Sequence, residues 1–170
     1  MPFPDKSKVS RYYRLHDRIE TAMRRSDYST VAQCAVESVP LVPDLVGETK
    51  KEHGTFDITE SVAVHAGGRV LAALGHKADL AEMHRVLSSM PETQEWAKQV
   101  SLLIEDASLV NRVLTHVRSC PGTVQAGLKD VLGNPDARRL SNVCYWLTKV
   151  GRLKRERRGN SYALSISEMV

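Results

Sequence analysis

The amino-acid sequence predicts a mainly α protein carrying one small β-hairpin close to its C-terminal end. Apolar residues recur at helical spacing through most of the chain, and the stretch from Glu92 to Cys120 keeps that spacing without a proline or glycine. Strict alternation occurs in one place, Ser161 to Ile166, directly after the turn dipeptide Gly159-Asn160. In 170 residues, 42% hydrophobic and 26% charged, either one large domain or two small ones can bury a core. The expected division is an all-helical, helical-hairpin domain over residues 1–105, with two helix pairs and the start of a connecting helix, and a second domain over 106–170.

Residues 1–8, with two prolines and two lysines, read as a loose lead-in. From Val9, the spacing of Tyr12, Leu15, Ile19 and Met23 predicts a first helix, closed by Arg24-Arg25, whose charge suits a helix C-terminus. Ser26-Asp27-Tyr28-Ser29 offers N-caps for a second helix carrying Val31, Cys34, Ala35 and Val39, which Pro40 and Pro43 interrupt or bound. Residues 47–57 read as a polar connection or a solvated helix end. A third helix is expected from Asp57 or Thr59 through Val62, Val64, His65 and Val70 to Leu74, ending on Gly75. Gly67-Gly68 in its middle cost about 1 kcal/mol each relative to alanine, and close packing by another helix is the expected reason for them. A fourth helix runs from about Asp79 and stops before Pro91. Glu92 to Cys120, with Trp96, Val100, Leu103, Ala107, Val110, Leu114 and Val117, is one long helix or two broken near 106–108. Asp27-Tyr28, Ala32 and Pro40 match a tetratricopeptide-type helix pair at too few positions to define a repeat.

After Pro121-Gly122, Thr123 is expected to cap a short helix bearing Val124, Leu128, Val131 and Leu132. In Gly133-Asn134-Pro135-Asp136, glycine ends that helix, Asn134 caps the next, and Pro135 takes its first position. At about 100° per residue, the helix over 135–150 gathers Leu140, Val143, Cys144, Leu147 and Val150 on one face. Arg138, Ser141, Asn142, Tyr145 and Lys149 fall on the other, with Arg139 and Trp146 on the flank. That outward set suits nucleic acid: arginine pairs with guanine, asparagine with adenine, and serine, tyrosine and lysine with backbone or either. Gly151 ends the helix, Leu153 anchors a strand, and Tyr162, Leu164 and Ile166 alternate along the return strand.

Charge is concentrated in the same place. Between Arg138 and Arg158 eight basic residues face one acid, Glu156, a net +7, whereas the whole chain carries +4; the remainder is therefore at −3. A polyanionic partner is expected to meet this end of the chain.

Helix, turn, helix and hairpin in this order resemble the winged helix-turn-helix domain of bacterial-type transcriptional regulators. The likeness rests on Leu132-Gly133, Leu140-Ser141, Leu147, Val150-Gly151-Arg152-Leu153 and Arg157-Arg158-Gly159-Asn160-Ser161-Tyr162, and spans about the last 60 residues. The turn before the second helix is one residue longer than in the commonest forms. The resemblance implies a recognition helix, 135–150, in the major groove of double-stranded DNA through Arg138, Arg139, Ser141, Asn142, Tyr145 and Lys149. It implies a basic wing, 152–166, on the phosphate backbone through Arg152, Lys154, Arg155, Arg157, Arg158 and Asn160. Pairing through the N-terminal or connecting helices would give a homodimer and half-sites about 34 Å apart. The N-terminal half would dimerise or bind a protein or small-molecule effector. The competing expectation is a scaffold, similar to PCI-like assembly modules, in which helical pairs and a winged helix together bind protein.

Other classes find little support. No nucleophile, base and orienter can be assembled, so an enzyme is not expected. His16, His53, His65, His76, His84 and His116 lack two-ligand spacing, so neither metal nor cofactor is expected. Gly67-Gly68 is not a phosphate loop, because no strand precedes it and no Gly-Lys-Ser/Thr follows. Cys34, Cys120 and Cys144, odd in number and far apart, read as reduced, partly buried thiols, with Cys144 on the apolar face of the recognition helix. No apolar run approaches the roughly 20 residues of a membrane span, and the expected compartment is the cytoplasm.

Overall fold

Short side chains set where the first helices begin. Asp5 accepts a hydrogen bond from the Ser7 backbone N–H at 2.9 Å and opens α1, Lys6–Arg24. Asp27 accepts from the Thr30 N–H at 3.2 Å and opens α2, Tyr28–Ser38. Caps of this kind stabilise a helix by about 1 kcal/mol each. The computed structural model describes residues 5–56 and 61–167. Within them α1 starts at Lys6 rather than Val9, because Asp5 supplies a cap that the apolar spacing does not register.

The two prolines start a helix instead of merely ending one. Pro40 lies in a 3-10 turn, Val39–Leu41, and Pro43 sits in the first turn of α3, Val42–His53, where its missing N–H has no partner to lose. Residues 47–53, expected as a connection or a solvated end, therefore belong to a full helix that buries Leu45, Val46 and Glu48 and stops at Gly54. The expected helix start at Asp57 or Thr59 lies outside the described residues. A π-helical turn, Ala63–Gly67, leads into α4, Gly68–Leu74, which Gly75 ends in the left-handed region at φ 76°. The reason for the glycine pair is visible here. A Cβ on Gly67 would overlap the Ala35 methyl of α2, and one on Gly68 would lie 2.6 Å from Leu103 Cδ1 on the long helix that follows α5. α5 spans Lys77–Ser88, and α6 runs unbroken over Gln94–Ser119, 26 residues.

After α6 the chain makes a strand where a capped helix was expected. Thr123–Val124 form β1, because the edge of the return strand is open to them: Thr123 pairs with Leu164 and Val124 with Ala163. The short helix is α7, Leu128–Val131. Gly133 and Asn134 both take positive φ, 79° and 59°, and the cap of the next helix passes to Asp136, which accepts from the Arg139 N–H at 2.9 Å. α8 accordingly spans Ala137–Lys149, and neither Asn134 as cap nor Pro135 as first residue holds; two consecutive left-handed residues absorb the extra length of the turn. β2, Leu153–Arg158, and β3, Ser161–Ile166, pair antiparallel from Leu153 with Ile166 to Arg158 with Ser161. Gly159 takes φ 60° in the two-residue turn between them. The sheet order is β1-β3-β2, so the fold is mainly α with one small antiparallel sheet.

Two apolar cores share α6. Trp96, Ala97, Val100 and Ala107 join α1 to α5, whereas Leu109, Val110, Val113, Leu114 and Val117 join α7, α8 and the sheet. α8 and its capping residue contribute to both: Leu140, Val143, Cys144 and Leu147 fill the second core, while Trp146 and the cap Val150 pack against the first. No helix among the described residues is long and apolar enough to cross a membrane.

Candidate nucleic-acid interface

The fate of each outward side chain follows from how α8 is seated. Its apolar face is buried in the second core, and one flank leans on α6 and α4. What remains open carries Arg138, Ser141, Asn142, Tyr145 and Lys149, all exposed, as their helical spacing requires. Arg138, Ser141 and Asn142 make no side-chain hydrogen bond or ion pair with described residues, so their polar groups are available.

Arg139 is spent elsewhere. Its Nε donates to Asp106 Oδ1 at 2.6 Å, one Nη pairs with Glu105 at 2.8 Å, and the other donates to the Leu102 carbonyl at 3.0 Å, all on α6. Burial pushes the Asp106 carboxyl above its ordinary value, and Arg139 draws it back only in part. Burial also opposes the Arg139 charge, but its bonds to Asp106 and Glu105 outweigh that and hold the guanidinium above its usual value. Removing either partner would leave the other stranded in a partly desolvated seam. Arg152 is a second strut: its Nη1 donates to the Ala73 carbonyl at 2.9 Å, tying the root of the hairpin to α4, and burial followed by the nearby Arg118 lowers its pKa.

The basic hairpin is not one surface. Residues opposite one another in an antiparallel pair share a face, so Arg155 and Arg157 stand with Leu164 and Tyr162 on the side that α8 packs against. Lys154 and Arg158 stand with Ser165 and Ser161 on the far side, and Asn160 is exposed at the tip. On the α8 side cations and rings alternate. The Arg155 guanidinium lies 4.6 Å from the Tyr162 ring centre and 5.9 Å from that of Tyr145; Lys149 Nζ lies 5.5 Å from Tyr145 and 5.0 Å from Trp146. Contacts of this kind are worth about 0.5–2 kcal/mol each and fix side chains that would otherwise be mobile. The Arg155 Nε is buried without a hydrogen-bond partner among the described residues.

A cleft of about 650 Å³ opens beside this surface, between α4, α6 and α8. Asn142, Tyr145, Trp146 and Lys149 form one wall, and His65, Arg69 and Gln99 stand across from them. The sequence reading did not single out Arg69. The signal for it was a lone formal charge in the run from Val62 to Leu74. Comparison with protein-family models, with curated proteins and with solved structures finds no match for this chain.

Proposed function

We propose that the chain binds double-stranded DNA as a winged-helix regulator of transcription, with α8 in the major groove and the α8 side of the hairpin against phosphate. The observation that carries the reading is the solvent face of α8. Three polar side chains suited to bases and phosphates stand there without internal partners, beside Lys149, Arg155 and Arg157, in the most strongly basic region of the chain. The order α6-β1-α7-α8-β2-β3 supports it, because it brings a hairpin alongside an exposed helix.

The contact set is smaller than the sequence reading gave. Arg139 and Arg152 are engaged within the chain, and Lys154 and Arg158 face away, which leaves Arg138, Lys149, Arg155 and Arg157 for phosphate. Four such contacts per chain give a slope of log K against log salt of about −3.6. Gel shifts on genomic fragments measure both affinity and slope. Changing Arg138 and Arg157 together to alanine should reduce the slope to about −1.8 and weaken binding to every fragment. A salt slope near zero, or no shift with any fragment, would sink the reading.

One observation favours the scaffold alternative. The Arg139 and Arg152 struts join the C-terminal unit to the helical half as one surface, as a protein-binding platform would require. Retained partner capture by the Arg138/Arg157 variant, together with absence of a gel shift in the parent, would select it.

A further inference from the structure

We propose that the cleft between α4, α6 and α8 is a binding site for a small organic anion with an aromatic body. We further propose that this ligand and DNA exclude one another. Only the exclusion rests on the DNA reading; the site itself does not.

The volume, about 650 Å³, lies within the roughly 300–1,000 Å³ typical of small-molecule sites. Two of its lining side chains, Arg69 and Lys149, are exposed cations. Arg69 makes no hydrogen bond or ion pair among the described residues, and the Nε2 atom of His65 is buried without a partner. That nitrogen has almost no accessible surface, so a ligand meets it only if the imidazole turns towards the cleft. Lys149 uses one of its three donors on the Tyr145 hydroxyl, at 3.4 Å, and keeps two.

Charge sets the sign of the occupant. Asp106 is the one acid among the described residues lining the cleft, and Arg139 already occupies it. Arg69 on α4 shares the field of Asp106 with Arg139, so Arg69 and Lys149 on α8 against that one acid leave the lining net positive, and an anion is the complementary ligand. The rings of Tyr145 and Trp146 beside Lys149 supply flat apolar surface, which selects an aromatic body over a bare phosphate or sulfate. Asn142, Tyr145 and Lys149 belong at once to this wall and to the open face of α8. A molecule seated on them takes away side chains that the proposed DNA contact needs, so exclusion follows from shared atoms without any conformational change.

The chain has two tryptophans, which makes the test selective. Trp146 lines the cleft, whereas Trp96 is buried edge-on against Phe56 in the first core. Naphthalene-2-carboxylate is titrated into the full chain while the two indole N–H resonances are followed, with Trp146→Phe assigning them and naphthalene-2-carboxamide as the uncharged control. The expected result is a saturable shift of the Trp146 signal alone, with binding about tenfold or more weaker for the carboxamide and for Arg69→Ala. Arg69→Lys should recover most of the loss. Equal shifts at both tryptophans, equal binding by the carboxamide, indifference to Arg69→Ala, or no saturation below about 5 mM would overturn the site. In a parallel gel shift, the carboxylate should release DNA from the parent but not from Arg69→Ala, whose DNA affinity stays at the parental value. If the parent shifts no DNA, the regulator reading fails while the Trp146 titration still decides the cleft.

Discussion

The three cysteines, alike in the sequence, occupy different surroundings. Cys34 and Cys144 are fully buried and Cys120 is exposed, so the expectation of partly buried thiols fails at Cys120, which follows the last turn of α6. Burial pushes the Cys144 thiol up to about 11, with Arg155 acting in the opposite direction. At pH 8 its reactive thiolate is then on the order of one part in a thousand, and its access is closed besides. Native iodoacetamide treatment should label one thiol per chain, mapped to Cys120 by peptide mass, and three in denaturant. The raised value also has a sign for stability. The folded chain holds the Cys144 proton more tightly than the unfolded chain, so this contribution is complete below the ordinary value of 9.0 and is lost as pH rises towards 11. Its size is about 3 kcal/mol at most, and Cys144→Ala should flatten the fall in alkaline melting temperature. Unchanged alkaline behaviour in that variant would refute the assignment.

At the scale of elements, the glycine pair in the π-turn and α4 sets how closely three helices approach. Gly67 faces the Ala35 backbone and methyl, which cannot yield, whereas Gly68 faces the far end of the Leu103 side chain, which can rotate. Gly67→Ala should therefore destabilise the protein by about 1–3 kcal/mol in urea titration, and Gly68→Ala by less; the reverse order would show that the seam is misassigned. The sequence revealed that such a seam must exist, because two mid-helix glycines are otherwise costly. It could not reveal the partner helices, which lie more than 30 residues away on either side. The same division runs through the candidate site. The open face of α8 was legible, since it follows from 3.6-residue periodicity among local residues. The engagement of Arg139 was not, because it depends on Asp106 in another helix. Nor was β1, whose two residues become a strand only because β3 offers them an edge.

For the molecule as a whole, the two cores are not separable pieces. α6 runs through both, Trp146 and Val150 cross from one to the other, and the Arg139 and Arg152 struts close the seam. Unfolding either core would strand half of α6 and two guanidinium groups. Amide exchange should therefore report one opening free energy for the slowest sites of both, for example Val31 in α2 and Leu164 in β3. Arg139→Ala should lower it and let the C-terminal sites open first, separating the two values by about 1–3 kcal/mol. Two distinct values in the parent chain would mean that the cores open independently.

The continuity of α6 also restricts how this architecture can vary. A helix turns its residues by about 100° and advances them 1.5 Å apiece, so the rotational phase between its two ends is fixed by residue count. One residue inserted beside Ser108 would swing the second core by about 100° and carry α8 away from Asp106. Seven would return the phase to within about 20° but draw the cores apart by about 10 Å, opening the cleft. Length in this helix is thus a discrete setting, whereas the loops around it can lengthen by any number of residues.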